Sequence, residues 1–392
     1  MNQRTIQKTT LYYICGSVLA VVVFFGAAEL AVRTISLVSG KGFTLALAEL
    51  DAHDEGITRI YRWHPFTGIT FQPGIQFEGS DPSGRQKARL FVDRHGFLAN
   101  NQSLSINKQA NELRIATIGG STTANIALAY EHNWPGRLGL ISQQVFPDNK
   151  VVVINAGVPG FDTAQSISNL ALRVMPFKPD VVVIYHAYND LKAIRHTVPF
   201  QPDYSHIHQR PYGHHERPTF LVRWLNNSMV YVRTRNKYRK MKQQQTRIDT
   251  VLQKDRVSDI PLAAEQTFAQ HLRTLIAIAR SGGAKVVLSS FATLHDPKKN
   301  YNKSQVTETL TPLQKREFYN LLHFTPGLTI EGIFKGIERY NAILNKVAEE
   351  EQTAWVDNAN GIPHGDKYFI DRVHFSADGA ALMAQNLLPA VV

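Results

Sequence analysis

Apolar positions follow two patterns along this chain. The first is one long block. Leu11 to Ala28 runs eighteen residues without a charge, continues through Glu29 to Val32 and stops at Arg33. A block that long reads as a membrane-spanning helix. Arg4 and Lys8 precede it, with no acid among residues 1–10. The apolar region of a cleavable signal peptide is normally about 7–15 residues, so an uncleaved anchor is favoured, although Ala27, Ala28 and Ala31 offer small residues for cleavage. A buried core helix is the third reading. Arg4 and Lys8 on one side balance Arg33 and Lys41 on the other. The free amino terminus tips the expectation toward N-terminus inside, with the rest of the chain outside the cytoplasm.

The second pattern begins at Arg114. Short β-branched runs recur at Ile115–Ile118, Val151–Ile154, Val181–Ile184, Ala284–Leu288 and from Trp355, each bounded by turn residues. Such runs suit strands buried on both faces. Helical periodicity lies between and after them, at about 133–146, 163–175, 263–281, 332–351 and 377–390. Strands alternating with helices predict an α/β fold with a parallel sheet covered on both faces. In such sheets ligands sit beyond the carboxyl ends of the strands. The expected organisation is an anchor at 1–38, an irregular lead-in at 39–111 packed on the main domain, and that domain at 112–392. Arg62–Gly74 within the lead-in reads as loops and short strands.

Residues 195–262 interrupt the alternation between the third strand and its returning helix, and a connection that long is usually functional or disordered. The whole chain of 392 residues carries a net charge of +11. Within 205–256, twelve Lys/Arg stand against three acids, a net +9, so the rest is close to neutral. Nucleic-acid binding by the whole protein loses its support. The run Arg233–Lys242, with Tyr231 and Tyr238 interleaved, reads either as a solvated helix face or as a contact for anionic lipid or acidic polysaccharide. A hydrophobic fraction of 43% and a charged fraction of 19% exclude wholesale disorder. The single cysteine, Cys15, excludes an intramolecular disulfide, a Cys-based zinc site and a cysteine redox pair. His206, His208, His214 and His215 have no carboxylate partner at a recognisable spacing and read as solvated loop residues, not metal ligands.

Four short constellations fall at strand ends or before the last helix. Ile118-Gly-Gly-Ser-Thr-Thr123 lets the chain turn sharply and presents the Ser121 hydroxyl beside free helix N-terminal amides, as a nucleophilic serine needs. It lacks the Gly-Lys-Ser/Thr and the third glycine of two phosphate-binding loops. Asn155-Ala-Gly-Val-Pro-Gly160 can bring a backbone amide to a reacting oxygen, or is an ordinary turn. In Tyr185-His-Ala-Tyr-Asn-Asp190, Asn189 can aim its amide at an oxyanion, or Asn189-Asp190 caps the next turn. His186 and Tyr188 flank it, as pocket or core. In Asp371-Arg-Val-His374 the carboxylate can orient the imidazole toward a serine, and Ser376 suits an N-cap for the final helix.

Taken in order, these blocks resemble those of the SGNH hydrolases, the GDSL-like esterase/acylhydrolase superfamily, over about 112–392. Ser121, Gly157, Asn189 and His374 stand at the four positions that give the family its name. Val92-Asp-Arg-His-Gly-Phe97 is similar to the lead-in of membrane-anchored members. The resemblance implies a flavodoxin-like three-layer α/β/α sandwich. It also implies a triad of Ser121 as nucleophile, His374 as base and Asp371 as its orienter. The oxyanion hole would come from the Ser121 and Gly157 amides and the Asn189 side chain. No metal or organic cofactor is implied. The family's commonest first block reads Gly-Asp-Ser-Leu. Here Gly120 and Thr122 replace the Asp and Leu, which weakens any transfer of lipase-like substrate preference. The expected activity is membrane-anchored, extracytoplasmic ester hydrolysis of an acylated small molecule, glycan or lipid, on the periplasmic side in a Gram-negative cell. An O-acyltransferase acting on cell-envelope polysaccharide with the same triad, and a non-catalytic binding module, are the alternatives.

Overall fold

The structure, a computed structural model, describes residues 3–40, 42–43, 60–80, 87–100, 103–195, 198–208, 220–252, 256–297 and 320–392. The chain divides into two compact units, Met1–Arg59 with His215–Thr246, and Ile60–His214 with Arg247–Val392. The basic insert is therefore split, its middle grouping with the N-terminal helix.

In the first unit α1 (Gln3–Val38) contains a 27-residue apolar stretch, Tyr12–Val38, with mean hydropathy 2.2 and large exposed side chains along it, Phe24 and Leu30 among them. It is long and apolar enough to cross a membrane. The insert supplies α4 (Phe220–Leu225) and α5 (Met229–Leu252), the latter belonging to this unit as far as Thr246.

Among the described residues the second unit holds ten strands: β1 (Tyr61–His64), β2 (Gly68–Phe71), β3 (Gln76–Ser80), β4 (Lys87–Val92), β5 (Leu98–Ala99), β6 (Glu112–Gly119), β7 (Lys150–Asn155), β8 (Val181–Tyr185), β9 (Lys285–Ser289) and β10 (Ala354–Val356). Its principal helices are α2 (Trp134–Val145), α3 (Thr163–Asn169), α6 (Leu262–Ser281), α7 (Ile330–Glu350) and α8 (Ala377–Val391). β1 and β2 form a separate hairpin, and the other eight make one sheet in the order β10-β9-β8-β6-β7-β5-β4-β3. All five strands expected from the β-branched runs are present, and they pair in parallel. The sheet is mixed, because β3, β4 and β5 extend it in antiparallel register. Part of the lead-in, expected to be irregular, is thus sheet. Its turn is built on Asp93, whose buried carboxylate accepts from the amides of His95, Phe97 and Leu104.

The central strand β8 is buried along its whole length, as its unbroken Val-Val-Val-Ile run demands. α2 packs with α8, while α3 and α7 each pack on α6. Right-handed crossovers put these two groups on opposite faces of the sheet, a flavodoxin-like three-layer sandwich. The helices start where the sequence offers caps. Asn133 accepts from the Gly136 amide, Asp162 and Gln165 form a capping box, and Ser376 accepts from the Gly379 amide. From β6 the chain moves to β7 on one side, then crosses to β8 on the other. That reversal opens a crevice at the carboxyl ends of β6, β7 and β8.

Candidate active site

Three loops leave the carboxyl ends of those strands, and a fourth precedes α8. After β6, Gly120 starts a single helical turn, Ser121–Ala124, with no side-chain cap. Among the described residues the Ser121 and Thr122 amides make no hydrogen bond, so the first donors of the turn stay open. The Trp134 indole donates to the Thr122 carbonyl (2.9 Å) and ties the turn to α2.

Ser121 and His374 are 253 residues apart, yet the Ser121 Oγ lies 2.8 Å from His374 Nε2. On the other edge of the ring, His374 Nδ1 lies 2.9 and 2.8 Å from the two Asp371 oxygens. A carboxylate there keeps the proton on Nδ1 and leaves Nε2 to accept from the serine hydroxyl. Asp371 Oδ1 also accepts from the Val373 and His374 amides. Burial alone would raise the Asp371 carboxyl. The imidazole's charge and hydrogen bond, the Arg372 charge and the Val373 amide outweigh it and hold the group well below the usual carboxylate range. Arg372 donates to the Tyr188 hydroxyl (2.9 Å), linking this loop to the one after β8.

Asn189 is buried, and its Nδ2 donates to the Phe161 carbonyl (2.6 Å), leaving the second amide hydrogen free. A Cβ at Gly120 would stand 2.3 Å from that nitrogen, so glycine there is a close-approach requirement. Gly157 corrects the expectation placed on it. Its amide donates to Asn155 Oδ1 (3.1 Å), and a Cβ there would stand 2.4 Å from the Ala124 nitrogen. It packs behind the serine turn with its N–H already taken. Gly160, three residues on, makes no amide hydrogen bond among the described residues, while its carbonyl accepts from Lys192 (2.6 Å). Both glycines were visible in one motif, but nothing in the sequence says which N–H the Asn155 side chain takes.

Gly120, Ser121, Thr122, Tyr185, His186, Tyr188, Asn189 and Phe291 line a small cleft of about 10 Å³. Burial pushes the His186 imidazole down to about 4, so it stays neutral beside the serine, 2.8 Å from Ser166 Oγ.

Behind the cleft lies a buried polar cluster that sequence reasoning missed. Asp190 Oδ1 accepts from the Thr163 amide (3.0 Å) and hydroxyl (2.5 Å). Thr163 also meets His271, and Asp162 meets His208 Nε2, both at 2.8 Å. Burial and the neighbouring Asp162 charge push the Asp190 carboxyl up to about 7. Burial opposes ionisation of Asp162 too, but the His208 hydrogen bond and the Lys192 charge bring it below its ordinary value. His208 is therefore tied to the core and not simply solvated. His206 is likewise placed, 2.7 Å from the Ala193 carbonyl. His214 and His215 lie outside the described residues.

A flavodoxin-like sheet carrying a serine, an imidazole and a carboxylate in one hydrogen-bonded chain is the arrangement of a serine hydrolase. Residues 117–382 match the GDSL-like Lipase/Acylhydrolase family, and the chain belongs to it. It is an enzyme that hydrolyses ester bonds. Among solved structures it is similar to a GDSL-like lipase from Bacteroides thetaiotaomicron, at 13% identity over 74% of this chain and 91% of that one, with a TM-score of 0.39. It is also similar to an acetyl xylan esterase from Geobacillus stearothermophilus, at 13% identity over 73% and 97%, with a TM-score of 0.41. A comparison with curated proteins finds no match.

Proposed function

We propose that this chain is a membrane-anchored serine esterase that works through an acyl-enzyme on Ser121. The observation that carries the reading is the continuous Ser121–His374–Asp371 hydrogen-bond chain, with its serine contact at 2.8 Å. His374 takes the Ser121 proton as Oγ attacks the ester carbonyl, and Asp371 stabilises the imidazolium that forms. The oxyanion meets the Ser121 amide, the free Asn189 amide hydrogen and the Gly160 amide. His374 returns the proton to the leaving alcohol, and water, deprotonated by the same imidazole, releases the acid.

A cleft of about 10 Å³ is far smaller than the roughly 300–1,000 Å³ usual for drug-sized ligands, which favours a short acyl group. The anchor is α1, with the catalytic unit outside the cytoplasm. The test follows p-nitrophenyl acetate and octanoate turnover by wild type and Ser121→Ala. Acetate turnover exceeding octanoate turnover and vanishing in the variant supports the reading. Wild type no faster than the variant rejects it, and release of product only when a saccharide acceptor is added reassigns the chain to acyl transfer.

A further inference from the structure

The N-terminal helix and the basic insert are joined by a set of bonds with no part in ester chemistry. Glu29 Oε1 accepts from the Met229 amide (2.8 Å), and Oε2 from the Ser228 hydroxyl (2.7 Å) and the Val230 amide (3.1 Å). Arg33 holds Glu29 (2.7 Å) and donates to the Asn227 carbonyl (2.5 Å), and Arg233 reaches Ser36 Oγ (3.1 Å). The Glu29 carboxylate thus sits on the open amides of α5, where a helix favours negative charge.

The place of this clasp along α1 decides what lies around it. About twenty residues at roughly 1.5 Å each cross a hydrocarbon core of about 30 Å. Counted from Leu11, the core ends at Leu30. Residues 29–36 and the clasped segment 227–233 then stand at headgroup depth. Directly before that segment, Phe220, Leu221 and Trp224 on α4 are 85, 61 and 63% exposed. Their spacing puts them on one side of the helix. Large exposed apolar groups at that depth, a tryptophan among them, match the aromatic belt of membrane–water interfaces. After the clasp, α5 carries six Lys/Arg and one acid, with Lys237 and Tyr238 exposed.

We propose that α4 and the basic start of α5 form a second membrane contact beside α1, with Phe220, Leu221 and Trp224 in the interface and the basic residues on anionic phospholipid headgroups. This rests on reading α1 as a membrane span. An acidic polysaccharide would match the charge but leaves the exposed face of α4 without a role.

The test reconstitutes the full chain into phosphatidylcholine vesicles, with and without phosphatidylglycerol, carrying acyl chains brominated near the headgroup. The chain has four tryptophans, so the readout is the difference between wild type and Trp224→Phe. The expected result is quenching that largely disappears in the variant and deepens with phosphatidylglycerol. Equal quenching in both proteins, with both retained on the vesicles, overturns this proposal alone. Protein that leaves the vesicles on alkaline washing overturns the anchor reading and this proposal with it. Emission of Trp224 that responds to a soluble acidic polysaccharide and not to brominated lipid assigns the surface to a glycan instead.

Discussion

At residue 120 a single methyl group decides whether Asn189, the proposed oxyanion donor, keeps its place. The Asn189 amide nitrogen lies 2.3 Å from where a Gly120 Cβ would stand, and its bond to the Phe161 carbonyl leaves it little room to retreat. Gly120→Ala should therefore lower kcat by about 10²–10³-fold, the worth of one such donor, and lower the melting temperature as well, since overpacking a tight site costs about 1–3 kcal/mol. Unchanged kcat would remove Asn189 from the account. Asp371→Asn keeps the shape but lets the imidazole adopt the wrong tautomer, and kcat should fall by up to about 10⁴-fold. Ser121, Asn189, Asp371 and His374 were legible as residues because each is chemically distinctive and stands beside a readable element. Gly157 and Gly160 were not separable, since both offer the same backbone N–H. What distinguishes them is the Asn155 side chain, which occupies one of the two.

Among the elements, the loop after β7 and the loop after β8 act as one body. Asn189 to Phe161, Lys192 to Gly160 and Thr163 to Asp190 join them with four hydrogen bonds. These partners are 27–32 residues apart, so no local pattern announces them. Asp190 carries the pH dependence of this joint. Its folded carboxyl sits at about 7, against about 3.9 when unfolded. Across that window the folded state holds a proton the unfolded chain has released, so this contribution to stability falls as pH rises from about 4 to about 7, then levels off. Asp190→Asn cannot titrate and removes that slope. Urea midpoints at about pH 5 and pH 7 should fall less in the variant than in wild type, and parallel curves would contradict the assignment. The parallel strands were readable from β-branched runs bounded by turns. β3–β5 were not, because short strands at a sheet edge alternate polar and apolar positions too briefly to stand out.

For the whole molecule, charge distribution was readable but its connection was not. The sequence located most of the net charge in the insert. The clasp joins Glu29 to residues 199–201 positions away, a contact that only tertiary structure reveals. If α1 spans a membrane, the full chain should stay in the membrane pellet through alkaline carbonate washing. A tag after Val392 should be digested by protease added to spheroplasts. A protected tag would place the catalytic unit in the cytoplasm.

The central claim is a covalent intermediate on one serine, and a fluorophosphonate probe read by intact mass and peptide mapping tests it most directly. The wild-type protein should carry one adduct per chain, mapped to Ser121, absent in Ser121→Ala and formed much more slowly in His374→Ala. A wild-type protein that takes up no probe, or carries it on another residue, would contradict it.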